Sequence, residues 1–299
     1  MSTFSTDIPG QGSPVETDQS VERALYRLRQ SPLSMVGLIM VVSVVIVALL
    51  SPMLVPFPND ATGNTRMQEK LTGPNDTYYF GTDDVGRDVF SRTLIAAQTS
   101  LIIGVVVLTI AIVIGVPLGA VSGFLGGWVD EVIMRITDIF LTVPALVLAM
   151  AMGVALGPGM TNAMLAISLV WWPGYARLTR GQVLSLREQD FVESARALGA
   201  SSWHTIIRHI IPNVISPVII KASMDMGFAI LVAAGLGYIG IGVQPPRPEW
   251  GVMISEGRGL VRQAWWISTF PGLAMFITVM GFNLLGDGLR DIFDPKMRR

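Results

Sequence analysis

Long stretches of this chain contain no charged residue, among them Gln30 to Asn59 and Thr93 to Val129. About 20 apolar residues in a helix cross the ~30 Å hydrocarbon core of a bilayer, so each run is long enough to span one. In lipid every backbone N–H and C=O must find its partner within the protein, which leaves helices or closed barrels. The runs are continuously apolar rather than alternating, and that selects helices. The chain is 51% hydrophobic and 14% charged, whereas soluble domains carry roughly 25% charged residues.

Reading the remaining apolar segments with their turns predicts an all-α membrane protein of six transmembrane helices, at about 33–55, 100–121, 136–156, 160–178, 216–242 and 267–285. The run after Thr93 is too long for one crossing, and Gly123, Gly126 and Gly127 place a turn near its end. Gly157-Pro158-Gly159 predicts another turn, and Pro173-Gly174 a kink at the end of the fourth span. Ser216-Pro217 reads as the cap and first turn of the fifth. Trp265 and Trp266 are expected as belt residues at the outer interface.

Ahead of the first span, residues 1–20 have the composition of a disordered cytoplasmic tail. Residues 21–32 read as an amphipathic surface helix, with Val21, Leu25 and Leu28 opposite Arg23, Arg27 and Arg29. Basic residues near the spans favour cytoplasmic N- and C-termini, with 291–299 as a second cytoplasmic tail. A net charge of −1 argues against a nucleic-acid partner, and a chain with no cysteine offers neither disulfides nor thiolate metal sites. The two histidines, His204 and His209, are five apart, a spacing that does not share an α-helical face, so no metal site is expected.

The polar interruption from Leu186 to Asn213 predicts two short helices joined at a glycine. Asp190 and Glu193 suit an N-cap and its capping-box partner, and Gly199 a left-handed C-terminal turn. A second helix follows with Trp203, Ile206, Ile207, Ile210 and Ile211 on one stripe, and Pro212 is expected to stop it. Such a hairpin at a membrane surface suits docking of another protein.

Inside the fifth predicted span, Lys221 and Asp225 are one turn apart. A lone charge at mid-membrane costs roughly 2.5–3.5 kcal/mol, and pairing lowers that. They are candidates either for a structural pair facing the bundle or for residues lining a pathway. Gly235-Leu-Gly237-Tyr-Ile-Gly240 fits a dinucleotide pattern in form, but no strand precedes it, and in a span small residues serve helix packing. The sequence contains no phosphate-binding G-x4-G-K-[ST] loop and no candidate catalytic residue.

Four motifs carry a family resemblance. Glu193-Ser-Ala195, then Gly199, then Ile211-Pro212 resembles the E-A-A-x3-G-x9-I-x-L-P loop of ABC-importer permeases, with Ser194 and His209 departing from it. Phe80 to Asp88 resembles the F-G-T-D-x-x-G-R-D signature of the dipeptide/oligopeptide/nickel branch, through Gly81, Asp83, Gly86, Arg87 and Asp88. Gln244 to Gly251 is similar to its Q-P-P-x-P-E-W-G segment, and Gly286 to Pro295 to its G-D-x-L-R-D-x-x-D-P ending. The resemblance implies a type I importer permease fold and a C-type subunit in a bacterial inner membrane. It also implies a homologous second permease, two cytoplasmic ATPases that bind the ATP, and an extracytoplasmic substrate-binding protein. The 186–213 loop would couple to the ATPases, and the cargo would be di- or oligopeptides, nickel, glutathione or opine-like compounds. A self-sufficient secondary transporter or channel is the competing class; it would need intramembrane ion sites and an inverted repeat. Topology reporters fused at Lys70, Pro158 and Ser255 are expected to lie outside the cytoplasm; one cytoplasmic signal among them would overturn the six-span arrangement.

Overall fold

The computed structural model describes residues 31–293. The expected tail over 1–20, nearly all of the 21–32 segment and residues 294–299 lie outside the described residues. The chain forms helices α1 (Pro32–Leu54), α2 (Val89–Leu125), α3 (Gly127–Thr142), α4 (Ala145–Leu156) and α5 (Met160–Leu186). Then follow α6 (Asp190–Ala197), α7 (Ser202–Thr205), a π-helical turn (Ile206–Ile210), α8 (Ile211–Tyr238), α9 (Trp250–Gly257) and α10 (Trp266–Phe293). The single β-bridge among the described residues joins Thr82 to Asp88.

Helix α1, the helix α2, the continuous helix from Ser202 to Tyr238 and α10 up to Asp291 are long and apolar enough to cross a membrane. The pair α3 and α4 makes a fifth span only if taken together, because the two are bent by 92°. By length and composition the described residues thus provide four or five spans where six are expected. Helix α5 has the length, at 27 residues, but Asn162, Arg177, Arg180 and Gln182 lower its hydropathy.

Other expectations are corrected in detail. The 136–156 segment is two helices, because Pro144 has no N–H to donate and ends the hydrogen-bond ladder of α3. Helix α2 is 37 residues long and begins at Val89, well before the expected start near Ser100, because Asp88 caps it: Oδ2 accepts from Ser91 N at 2.7 Å. Pro173 is accommodated within α5 and Pro217 within α8. Of the two expected belt residues, Trp266 is buried, its Nε1 donating to the Thr82 carbonyl at 3.0 Å, and Trp265 is exposed.

Helices α2 and α5 share the most extensive packing in the molecule. Gly115, Gly119 and Gly123 recur every four residues on α2 and so line one face. A Cβ at Gly115 or Gly119 would run into the carbonyl oxygens of Trp172 or Ala176, and one at Gly123 would meet Val183 Cβ at 3.0 Å. Where helices meet in lipid the gain is packing rather than water release, so small residues that let backbones touch hold the pair together. Helix α10 closes the bundle against α1 and α8, and α9 inserts between α8 and α10. Gly119→Leu is expected to lower the unfolding temperature of the detergent-solubilised protein by several degrees. Gly181→Leu, at a position with nothing within 4 Å, is the matched control and is expected to leave it unchanged.

Candidate functional site

At the end of the bundle where α2 and α5 finish, the chain folds into the polar hairpin α6–α7. Helix α6 is capped from Gln189, with no side-chain cap bond, so Asp190 is not the N-cap. Asp190 and Glu193 instead occupy the first turn, where carboxylates complement the positive end of the helix dipole. Gly199 has φ +83°. Its N–H donates to the Arg196 carbonyl at 2.9 Å, and Ala200 N–H to the Ala195 carbonyl at 3.0 Å. This Schellman pair satisfies the last carbonyls of α6 and turns the chain into α7. Ser201 caps α7, its Oγ accepting from His204 N–H at 3.3 Å.

The hairpin is seated on the end of α2. Val192 is buried, the Arg196 guanidinium lies 4.7 Å from the Phe124 ring centroid, and Arg187 Nη1 donates to the Gly123 carbonyl at 3.2 Å. The isoleucine stripe divides in two: Ile206 and Ile210 are buried, whereas Trp203 and Ile207 are 60% and 64% exposed, beside Leu198 at 89%. One ordered element therefore carries an outward apolar patch.

Pro212 does not stop the second helix. The backbone loosens to i→i+5 bonding over Ile206–Ile210, with Ile211 N–H donating to the Ile206 carbonyl, and then continues into α8. The wider turn absorbs the proline's missing donor and ring, and Asn213 Nδ2 donates to the His209 carbonyl at 2.6 Å. The same wide turn stacks residues five apart. The rings of His204 and His209 lie 5.9 Å apart, on the shared face that α-helical spacing denied them. Ile211 and Pro212 open α8.

Lys221 and Asp225 form an ion pair on α8, Nζ to Oδ2 at 3.0 Å. Gly235, Gly237 and Gly240 lie at the far end of that helix, where Gly237 faces the Glu249 carboxylate.

At the opposite end, the Phe80–Asp88 motif is the centre of a buried charge clasp. Asp83 accepts from Arg87 Nε at 2.6 Å, Arg92 Nη1 at 2.5 Å and the backbone N–H of Val85 and Arg87 at 3.1 and 2.8 Å. Both arginines reach on to Glu256 of α9, at 3.3 and 3.0 Å. Asp60, also buried, accepts two bonds from Arg66 and one from Asp88 N–H at 2.6 Å. Arg66 lies 4.7 Å from the Phe57 ring centroid. Its hydrogen bonds to Asp60 hold its guanidinium above the ordinary range. Burial works against the charge of Arg87, but Asp83 and Glu256 outweigh it and raise the group. Burial likewise pushes the Asp88 carboxyl up, against the bonds it accepts from Ser91.

Gly81 and Gly86 have φ +72° and +81°. A Cβ on Gly86 would collide with the Arg66 carbonyl, and one on Gly81 would lie 2.7 Å from Trp266 Nε1. Glu249 caps α9, accepting from Val252 N–H at 3.1 Å, and Trp250 Nε1 donates to the Thr93 carbonyl at 3.1 Å.

Sequence reasoning placed Arg92, Glu249 and Glu256 at this end but assigned none of them a part in its contacts. An acid directly before Trp-Gly at a helix start was a legible cap signal for Glu249. Glu256 meets Arg87 across 169 residues, and no local pattern marks it.

A helical membrane protein with a charge clasp at one end and an ordered hairpin displaying apolar side chains at the other is the class these features define. Residues 115–299 match the binding-protein-dependent transport system inner membrane component family, and residues 21–74 the N-terminal membrane domain of oligopeptide transport permease C. The chain is 47% identical to a probable D,D-dipeptide transport system permease of Escherichia coli K12, over 92% of this chain and 91% of that one. It is 41% identical to a dipeptide transport system permease of Alkalihalophilus pseudofirmus, over 97% and 96%. A glutathione transport system permease of Escherichia coli O6 is also 41% identical, over 91% and 89%. Among solved structures, an inward-facing methionine ABC transporter shares the fold, with a TM-score of 0.55 at 18% identity over 68% of this chain and 97% of that one. The chain belongs to the binding-protein-dependent transport inner membrane component family.

Asp83→Leu would leave Arg87 and Arg92 sharing Glu256 alone. Removing one partner from a buried pair costs on the order of 3–5 kcal/mol, so a marked fall in unfolding temperature is expected. The double variant Asp83→Leu/Arg92→Leu is expected to recover part of it. Equal stability of Asp83→Leu and the native chain would show that the clasp carries no stability.

Proposed function

We propose that this chain is one of two homologous permease subunits of an ATP-driven importer, with six spans and both termini in the cytoplasm. On this reading the hairpin between Glu193 and Pro212 receives one of two cytoplasmic ATPases, which bind the ATP. An external binding protein delivers cargo to the end that holds the Phe80–Asp88 clasp. Di- or oligopeptides are the proposed cargo, because the permeases similar to this chain are named for D,D-dipeptide, dipeptide and glutathione transport.

The observation that carries the reading is the exposed set Leu198, Trp203 and Ile207 on a hairpin fixed by the Gly199 turn. Single exposed apolar residues are ordinary, but three on one ordered element at the mouth of two long helices fit a protein partner. An ATP-driven cycle then alternates the access of the bundle by shifting the population of its two arrangements. A self-sufficient transporter would not need this surface.

The test uses Gly199→Leu. No atom lies within 4 Å of the position a Cβ would take, so the added side chain meets no neighbour. The strain is that of a left-handed backbone, roughly 1–2 kcal/mol. The variant is expected to insert and fold normally, to co-purify poorly with the ATPases and to lose binding-protein-stimulated ATP hydrolysis. Native docking and uptake in this variant would sink the coupling role. The cargo is read from the ligand retained by the purified binding protein; a non-peptide ligand there would overturn the peptide assignment and leave the permease assignment standing.

A further inference from the structure

Helices α5 and α8 are the two arms that enter and leave the hairpin. Helix α5 ends at Leu186, just before α6 begins at Asp190, and α7, the π turn and α8 form one continuous helix. Whatever displaces the hairpin therefore pulls directly on both arms. Above it the arms are tied together at one polar point. Tyr175 of α5, about 16 Å along the helix from Leu186 at ~1.5 Å per residue, is fully buried. Lys221 Nζ lies 5.3 Å from the centroid of its ring. The same Nζ lies 3.0 and 3.2 Å from the two oxygens of Asp225, and the Tyr175 hydroxyl faces that carboxylate. The hydroxyl itself is buried and makes no hydrogen bond among the described residues, so the contact that joins the two arms is the one between the Lys221 ammonium and the Tyr175 ring.

The arrangement departs from what a pathway-lining pair needs. Lys221 and Asp225 turn toward a neighbouring helix, whose aromatic ring takes the face of the cation. A lysine held by a carboxylate and by the negative face of a ring is attracted from both sides, more strongly where water is excluded. The ion pair holds Lys221 in place on α8, and the ring contact joins α8 to α5, so neither arm can shift along the other without breaking that contact.

We propose that Tyr175 is a positioning residue for transport: with Lys221 and Asp225 it clamps α5 to α8, so that displacement of the hairpin moves both spans as one arm. The proposal rests on the coupling role of the hairpin for its transport readout. It is separated from that role because the clamp variants leave the docking surface untouched.

The experiment uses the complete transporter in proteoliposomes with its ATPases and binding protein. Tyr175→Leu is expected to assemble, to co-purify with the ATPases and to keep hydrolysing ATP. Its uptake per ATP is expected to fall about fivefold or more, the low end of what coupling between sites produces. Tyr175→Phe keeps the ring against Lys221 and is expected to fall less. In a Lys221→Met/Asp225→Leu background, Tyr175→Leu is expected to add nothing, because groups acting as one unit are not additive. A loss of thermal stability with unchanged uptake per ATP, or additive losses, would make Tyr175 a packing residue and overturn the proposal.

A second measurement covers the case in which Tyr175→Leu does not fold. The chain has no cysteine, so Gly174→Cys and Lys221→Cys can be joined by a short bifunctional thiol reagent in an Asp225→Leu background. Gly174 lies beside the Lys221 side chain, a Cβ there falling 3.5 Å from Lys221 Cε. Joining the arms is expected to restore the uptake per ATP lost in the uncrosslinked variant. If the cross-link abolishes uptake instead, the arms must move relative to one another and the clamp is refuted. Failure of ATPase co-purification in Gly199→Leu bears on the hairpin; failure of rescue here bears on the clamp alone.

Discussion

The seam between α2 and α5 sets the positions of both ends of this molecule. Along Gly115, Gly119 and Gly123 the two backbones come together with no side chain between them. In a bilayer that closeness replaces the release of water that drives packing in solution. Helix α2 begins at the charge clasp and ends under the hairpin, and α5 runs into the hairpin itself. With these two helices fixed to each other, the clasp and the hairpin are held at opposite ends of one rigid pair.

The two ends satisfy their polar groups in opposite ways. At the clasp, Asp60 and Asp83 are buried, and each is met by arginine and by backbone N–H groups. Asp88 Oδ1 and Arg92 Nε and Nη2 remain without a hydrogen-bond partner among the described residues, and the network is fragile because the loss of any member strands another. It draws together the 56–92 segment, the start of α2 and the short helix α9, elements far apart in sequence. The hairpin is held by local devices instead: a Schellman turn, a serine cap and Arg187 and Arg196 on the end of α2. Local devices fix the shape of an element without covering its outer face, and the outer face is where the apolar side chains remain.

Much of this was legible in the sequence. Uncharged runs marked the long helices, and the helix-ending glycine at Gly199 was read from its place in the hairpin. The charged motif around Asp83 was visible as a motif, but its ion pairs were not. Arg92 was hidden inside what read as an apolar run's edge, and Glu256 is a distant acid with no local periodicity around it. The Gly115-Gly119-Gly123 repeat was present as a small residue every four positions and would have pointed to the tightest helix contact. Proline was overread as a terminator at Pro212 and as a helix start at Pro217, and underread at Pro144. The same residue type ends one helix and is absorbed by others, according to whether nearby carbonyls find substitute donors. Asp190 was displaced as N-cap because α6 begins one residue earlier than the capping-box pattern requires.

The π turn below Pro212 has a consequence for how the two ends of one helix are phased. An i→i+5 turn holds one residue more than the α-helical ladder around it, and in an α-helix each residue turns the chain by about 100°. The face that α7 turns outward is thereby rotated relative to the face that α8 turns toward the bundle, with no break in the rod between them. The outer face of the hairpin and the membrane face are thus set by separate dials. Removing the extra residue would re-aim the hairpin by about 100° while the side chains of α8 kept their neighbours.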